Sequence, residues 1–279
     1  MTNIFLREPK LYTNLTAVRR VSVVGTDAAV VLDQNIVRPE GGGQPRDHGS
    51  VTVGDQVFPI GQVVKSEGET WLRLSGAGSA PPEEGELVSV SVDRERRATL
   101  SKSHSLTHLM MAAGKKCLED FDSKGAAIDE AGQIMTISFR TSSVVDDIAI
   151  NMIDAVVRHL VAKDAPVTFT TVKSLEEGAK RFPRWRVDST LGLSGKIRVV
   201  DIAGIDANPC SGSHVETTGE VGPYRMFHDL VLDGDIYRFS AERTRTWMYW
   251  FGEEALIGFD WDGLHTRPNR PEGTPPHVR

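Results

Sequence analysis

The sequence predicts an α+β protein, a small N-terminal antiparallel β-barrel followed by a domain that mixes helices with sheet, and three observations lead there. From about residue 10 to residue 92, short runs rich in β-branched residues alternate with Gly and Asp, the pattern of short antiparallel strands. At Asp93 the texture changes to a long stretch without Pro that carries an apolar stripe, the pattern of a helix. Beyond it, helices alternate with strands of mixed spacing. A chain of 279 residues with 39% hydrophobic and 25% charged residues has material for two modest cores and none of the bias of disorder, collagen or a coiled coil.

The barrel strands are read from LTAVRRVSVVG, AAVVLD, GSVTVG, QVFPIGQVVK, TWLRLSG and GELVSVSVD, with a turn at Pro81 to Gly85. The long helix is RERRATLSKSHSLTHLMMAAGKKCLEDF, with Gly114 either tolerated inside it or close to its end. A strand, IMTISF, follows. The segment SVVDDIAINMIDAVVRHLVAKD reads as a second helix with an apolar face of Val145, Ile148, Ile150, Met152, Ile153, Val156, Val157 and Leu160. It ends near Asp164, because Pro166 disfavours helix at Ala165. A strand (VTFTTV), a short acidic helix (SLEEGAK) and strands around KIRVVDIAG and DLVLDGDIYRFSAE complete the domain. The last stretch, Asp262 to Arg279, holds Pro268, Pro271, Pro275 and Pro276 and almost nothing apolar, so it reads as a loosely held tail. The predicted divisions are 1–92 for the barrel, 93–262 for the α+β domain and 263–279 for the tail.

No run of about 18 apolar residues exists, and the N-terminus lacks the charged-then-apolar layout of a secretory signal. The expectation is a cytoplasmic protein with no membrane partner. Cys117 and Cys210 allow at most one disulfide, so reduced thiols are expected. The net charge of -6 argues against coating DNA or other nucleic acid through bulk electrostatics, while leaving room for a local basic face. Oligomeric state is left open.

The chemistry lies in two pairs of residues far apart in sequence. His104 and His108, one helical turn apart, project from one face with β-carbons about 6 Å apart, a metal-binding spacing. Cys210 and His214 stand in Pro-Cys-Ser-Gly-Ser-His, where Pro209 and Gly212 favour a turn that can aim both side chains at one point. Together they supply three imidazoles and one thiolate, a set that suits tetrahedral zinc.

Three segments carry a family resemblance: the His104-Ser105-Leu106-Thr107-His108-Leu109 run, the Cys210-Ser211-Gly212-Ser213-His214-Val215 run, and the glycine loop Arg38-Pro39-Glu40-Gly41-Gly42-Gly43-Gln44-Pro45. In this order and at these separations they resemble the editing domain of alanyl-tRNA synthetases and their free-standing relatives, the AlaX proteins. The resemblance covers most of the chain, including the DRERR opening of the long helix and VVDIAGIDANPCSGSHVETTGEVGPY. It implies a barrel followed by an α+β editing domain, and an aminoacyl-tRNA deacylase that hydrolyses the ester at the tRNA acceptor end. It further implies Zn2+ as cofactor, with His104, His108, Cys210 and His214 as its ligands and the catalytic set. Four protein ligands describe a closed site, whereas a catalytic zinc usually keeps one position open.

The same resemblance places Gly42, Gly43 and Gln44 over the zinc domain, closing the amino-acid pocket together with Ser105, Thr107, Ser211 and Ser213. A site that hydrogen-bonds the hydroxyl of serine rejects alanine, because alanine leaves buried polar groups unpaired. Ser105, Thr107 and Gln44 are the candidates for that bond. The resemblance implies serine as the amino acid removed; where the family commonly has Cys-Gly-Gly-Thr-His, this chain has Ser211 and Ser213 between the ligands, a change of volume and polarity near the metal that makes threonine or a threonine analogue the competitor. The tRNA-binding candidates are Arg181, Arg184, Trp185 and Arg186, an aromatic interleaved with positive charge, and after them Arg94, Arg96 and Arg97. Lys102, Asp201, Asp206 and Glu216 are polar residues near the motifs that sequence does not rank as bases. Two rival readings stand beside this one: a non-catalytic, zinc-stabilised module that binds tRNA or a synthetase, and a metallo-hydrolase of small esters or amides.

Overall fold

A computed structural model describes residues 2–77, 80–183, 185, 195–227 and 230–246. A two-residue strand β1 (Thr2–Asn3) is followed by β2 (Thr13–Val24), β3 (Asp27–Leu32), β4 (Gln34–Asn35), β5 (Gly49–Val53), β6 (Gln56–Ser66), β7 (Glu69–Leu74) and β8 (Leu87–Val92). Six of these close a barrel in the order β2-β3-β7-β6-β5-β8, while β1 pairs with β4 outside it. Closure depends on β2, whose N-terminal half pairs with β8 and whose C-terminal half pairs with β3 across a register shift between Val18 and Arg20. Such a shift bends a strand round a barrel corner. Alternation does the rest: Leu72 and Leu74 of β7, and Val88 and Val90 of β8, point inward with Val30, Leu32 and Val51 and are fully buried. All six predicted barrel strands are present.

The second half begins with α1 (Arg94–Cys117), whose first turn is capped by the Asp93 carboxylate accepting from the Arg96 amide at 3.0 Å. Gly114 lies inside α1, where a β-carbon would meet the Phe121 ring at 2.4 Å. Then come β9 (Asp122–Ile128), β10 (Ile134–Arg140), α2 (Asp147–Ala162), β11 (Val167–Val172), α3 (Leu175–Arg181), β12 (Ile197–Ile202), β13 (Asp206–Pro209), β14 (Tyr224–Met226), β15 (Val231–Asp233) and β16 (Ile236–Arg243). One sheet runs β14-β16-β10-β9 with β15 added on β16, and a second runs β11-β12-β13. Leu106, Leu109 and Met110 of α1, Ile153 and Val157 of α2, and Met135, Ile137, Phe139 and Phe239 of the larger sheet share one buried core.

Two expectations about the second helix need correction. The second helix starts at Asp147, where the Asp146 side chain accepts from the Ala149 amide. Val145 therefore lies outside it, and Ile148 is 67% exposed, off the stripe that Ile150, Ile153 and Val157 bury. The strands expected in DLVLDGDIYRFSAE are present as β15 and β16, a hairpin turning at Gly234 with φ of 62°. Strands β9, β13 and β14 were not foreseen. Residues 247–279, which include the end of the predicted second domain and the predicted tail, lie outside the described residues. Among the described residues, no helix is long and apolar enough to cross a membrane.

The seam between the halves is polar and buried. Arg97, in the first turn of α1, is 1% exposed and grips Asp47 of the barrel through Nε at 2.7 Å and through Nη2. Its remaining donors bond the carbonyls of Pro9 and Ile36, both at 2.8 Å. Beside it, Gly43 lies flat on β9. Its carbonyl accepts from the Ile128 amide at 2.8 Å, and a β-carbon there would sit 2.0 Å from the Ala126 oxygen, so only glycine permits this approach.

Candidate metal centre

His104 and His108 project from the middle of α1 toward the turn that follows β13, where Cys210 and His214 meet them. One ligand atom from each of the four lies within 4.8 Å of every other. Cys210 Sγ is 3.3 Å from His104 Nε2 and 3.3 Å from His214 Nε2. Around a tetrahedral zinc, bonds of about 2.0–2.3 Å put neighbouring ligand atoms about 3.5 Å apart, close to the two Cys210 separations.

What fits this cluster to a metal is the other nitrogen of each imidazole. Nδ1 of His104 is 2.7 Å from Gln44 Oε1, Nδ1 of His108 is 3.4 Å from Asp206 Oδ2, and Nδ1 of His214 is 3.0 Å from Ser105 Oγ. An acceptor behind each Nδ1–H fixes the tautomer and turns the Nε2 lone pair inward. Asp206 is itself held by Lys115 at 3.3 Å and by the Asn208 amide.

The turn is shaped by groups distant in sequence. A β-carbon on Gly212 would fall 2.3 Å from the His104 ring, so residue 212 must lack one for the imidazole to lie where it does. Arg198 of β12 donates through Nη1 to the carbonyls of Cys210 (2.7 Å) and Gly212 (3.0 Å). Arg38, 2% exposed, donates through Nε to the Ser211 carbonyl at 3.2 Å and spends its other donors on the carbonyls of Pro39, Gly41, Gln44 and Pro45. One guanidinium thus holds both the glycine loop and the ligand turn. Gln44 completes the bridge: its Nε2 donates to Ser213 Oγ at 2.9 Å, and its Oε1 accepts from the Ser213 amide at 3.1 Å.

The four side chains shift one another's ionisation. Burial opposes ionisation of the Cys210 thiol, yet the His104 and His214 imidazoles and the bonds from His104 and His108 outweigh it and hold the thiol well below its ordinary range. Burial drives His104 down and His214 down to about 3, so both are neutral and able to ligate. His108 goes the other way, to about 9: burial lowers it, but the bonds to Asp206 and Cys210 prevail.

The structure brings most sequence candidates to this place, in specific postures. Ser105 and Thr107 are both 1% exposed, but Ser105 supports His214 and accepts from the Val215 amide at 3.2 Å, while Thr107 donates to the His104 carbonyl of its own helix at 2.7 Å. Ser211 is exposed, and its Oγ lies 3.9 Å from where a Gly42 β-carbon would be. Trp185 is partly buried, stacked on Phe182 and packed over Gly178. Arg181 is exposed at the end of α3, and Arg184 and Arg186 lie outside the described residues. Arg96 is bonded to Glu130 and Arg97 is sealed in the seam, so these two do not form an open basic face. Arg38, Arg198 and the role of Asp206 were missed by sequence reasoning. The one available signal for Arg38 was its place directly before the glycine loop.

Comparison with known proteins agrees with this architecture. A family model described as the threonyl and alanyl tRNA synthetase second additional domain matches residues 197–228, which contain the Cys210–His214 turn. The alanine–tRNA ligase of Methanopyrus kandleri is 32% identical over 247 residues, 85% of this chain and 26% of the ligase. That of Methanoculleus marisnigri is 30% identical over 205 residues, 72% of this chain and 21% of the ligase. The alanyl-tRNA editing protein AlaX-L of Pyrococcus horikoshii is 31% identical over 252 residues, 86% of this chain and 57% of that protein. The chain thus spans about a quarter of the ligases it matches and just over half of AlaX-L. Barrel, glycine loop and four-ligand cluster, together with these relatives, make the chain similar to alanine–tRNA ligases and to an alanyl-tRNA editing protein of the AlaX type.

Proposed function

We propose that this chain is a trans-editing aminoacyl-tRNA deacylase that hydrolyses the ester of a mischarged tRNA, Ser-tRNA(Ala) before others, with Zn2+ held by His104, His108, Cys210 and His214. The observation that carries the reading is the triple anchoring of the imidazoles: Gln44, Asp206 and Ser105 each occupy an Nδ1, with Nε2 of His104 and of His214 3.3 Å from the Cys210 sulfur. When bound, zinc supplies Lewis acidity for an ester carbonyl or a water molecule. The chain itself supplies orientation and exclusion of water. The three histidines are buried, and Cys210 is the ligand with partial exposure.

Selectivity for serine falls in this reading to Ser213 and Gln44. The Ser213 hydroxyl accepts from Gln44 Nε2, which leaves its own proton free for a substrate hydroxyl. Alanine would leave that proton unpaired in a buried place, Ser213 being 3% exposed. Ser105 and Thr107 act as supports, since their oxygens are committed to His214 and to α1. Gly42 and Gly43 form the cover of the pocket. Arg181 meets tRNA phosphate, while Trp185 braces its neighbours instead of stacking on a base. The barrel, residues 1–92, and the ligand-bearing half from residue 93 are two domains sharing this one site.

The test is deacylation of seryl-, threonyl-, glycyl- and alanyl-tRNAs by the purified protein. Release of serine far above the buffer rate, with alanine spared, is the expected result. Preference for the threonyl ester would overturn the serine assignment. No release above buffer from any of the four would reduce the chain to a zinc-stabilised binding module.

A further inference from the structure

Beside the cluster a groove of about 420 Å3 is walled by His214 itself, by Phe169 of β11, by Arg7 and Lys10 of the N-terminal segment, and by Glu216. None of its lining residues belongs to the glycine loop. Its size falls within the range of small-molecule sites, about 300–1,000 Å3, and its chemistry is uneven in an informative way.

Phe169 is partly buried, and the Arg198 guanidinium lies 4.1 Å from its ring centroid. Arg198 also bonds the Leu6 carbonyl at 2.8 Å and the two ligand-turn carbonyls, so the ring is held by the group that shapes the metal site. The Phe169 centroid is 6.3 Å from that of His214, and a planar ring resting on Phe169 would lie next to the cluster. Arg7 is exposed and makes no ion pair among the described residues. Lys10 pairs with Glu216 at 2.9 Å, a bond that is half solvent-exposed and readily exchanged for another anion. An aromatic face with cations beside it is the chemistry of an unpaired nucleotide: the base stacks and the phosphate meets the cation.

Resting on the deacylase reading, we infer that this groove seats the 3′-terminal nucleotide of the tRNA, with the base on Phe169 and its phosphate on Arg7 and Lys10. The terminal ribose then lies at the His214 side of the cluster, and the esterified amino acid points toward Gln44 and Ser213. The base contact is stacking and so tolerates any base; the positioning of the ester follows from how near Phe169 stands to His214. Arg7 and Lys10 are matched by Glu8 and Glu216 in the same walls, so the groove carries no net charge and the contact is local.

The experiment measures binding of the trinucleotide CCA to the zinc-loaded protein, separately from deacylation. Phe169→Leu and Arg7→Glu should each weaken CCA binding about tenfold, Phe169→Tyr should retain it, and zinc content should stay unchanged in all three. Unaltered CCA affinity in both weakening variants, or no CCA binding by the parent protein, would overturn the assignment even if the parent deacylates Ser-tRNA(Ala). CCA binding that depends on Phe169 and Arg7 in a protein with no deacylase activity would keep the groove and sink the hydrolase. If Phe169→Leu loses zinc or fails to fold, Arg7→Glu, an exposed substitution, decides alone.

Discussion

The two halves of the ligand set are built in opposite ways. His104 and His108 ride on a 24-residue helix whose periodicity alone puts them on one face, and groups outside α1, Gln44 and Asp206, only set how each ring is turned. Cys210 and His214 sit in a turn that local propensity leaves undetermined. Their direction comes from Arg198, Arg38 and Gln44, side chains reaching in from as much as 173 residues away. A regular element carries its chemistry locally, while an irregular one must borrow its geometry.

The sharpest break of this contrast is loss of a ligand from either side. His104→Ala and Cys210→Ala are each expected to abolish turnover and zinc retention together, measured as metal content after dialysis alongside deacylation; activity in a metal-free variant would end the mechanism. Next comes Gly212→Ala. Its β-carbon would collide with the His104 ring, and the cost is expected to exceed about 3 kcal/mol, the upper end for overpacking, or more than about a hundredfold in zinc affinity. The same change in the helix, Gly114→Ala, meets Phe121 instead and should lower the melting temperature while leaving zinc affinity intact. Equal loss of zinc from both alanine variants would erase the distinction.

A smaller effect is expected from the groups behind the imidazoles. Gln44→Met and Asp206→Leu should each weaken zinc about 10- to 100-fold in competition with a chelator. Gln44→Met should also narrow the preference for serine over alanine, which Asp206→Leu should leave alone. The smallest belongs to the helix: Asp93→Ala removes the cap of α1 and should cost about 1 kcal/mol by denaturant titration with no change in metal binding.

Much of the centre was legible in sequence because its signals were periodic. The six barrel strands alternate, α1 is a long uninterrupted stripe, and the i, i+4 spacing of the histidines needs no context. Strand β9, DSKGAAI, was not legible: Ile128 is its one buried residue, and its pairing to β10 is a tertiary fact. Arg38 and Arg198 were missed because arginine reads as surface in any pattern, whereas here each satisfies buried carbonyls. Ser105 and Thr107 were found but read with one posture, since sequence cannot say which way a hydroxyl on a buried helix face bonds. Trp185 read as a stacking platform because the cluster it fills, with Val172, Phe182 and Val199, is assembled from three separate segments.

The buried ion pair of Arg97 and Asp47 has a consequence for how such a chain is passed on. Cut between barrel and helix, each fragment would expose one half of a pair built to be buried, while in the intact chain losing either partner would cost about 3–5 kcal/mol. Gene fusion or shuffling therefore has to carry both pieces as a single cassette. A graft of the histidine helix and cysteine turn alone would transmit the donors without the scaffold that aims them.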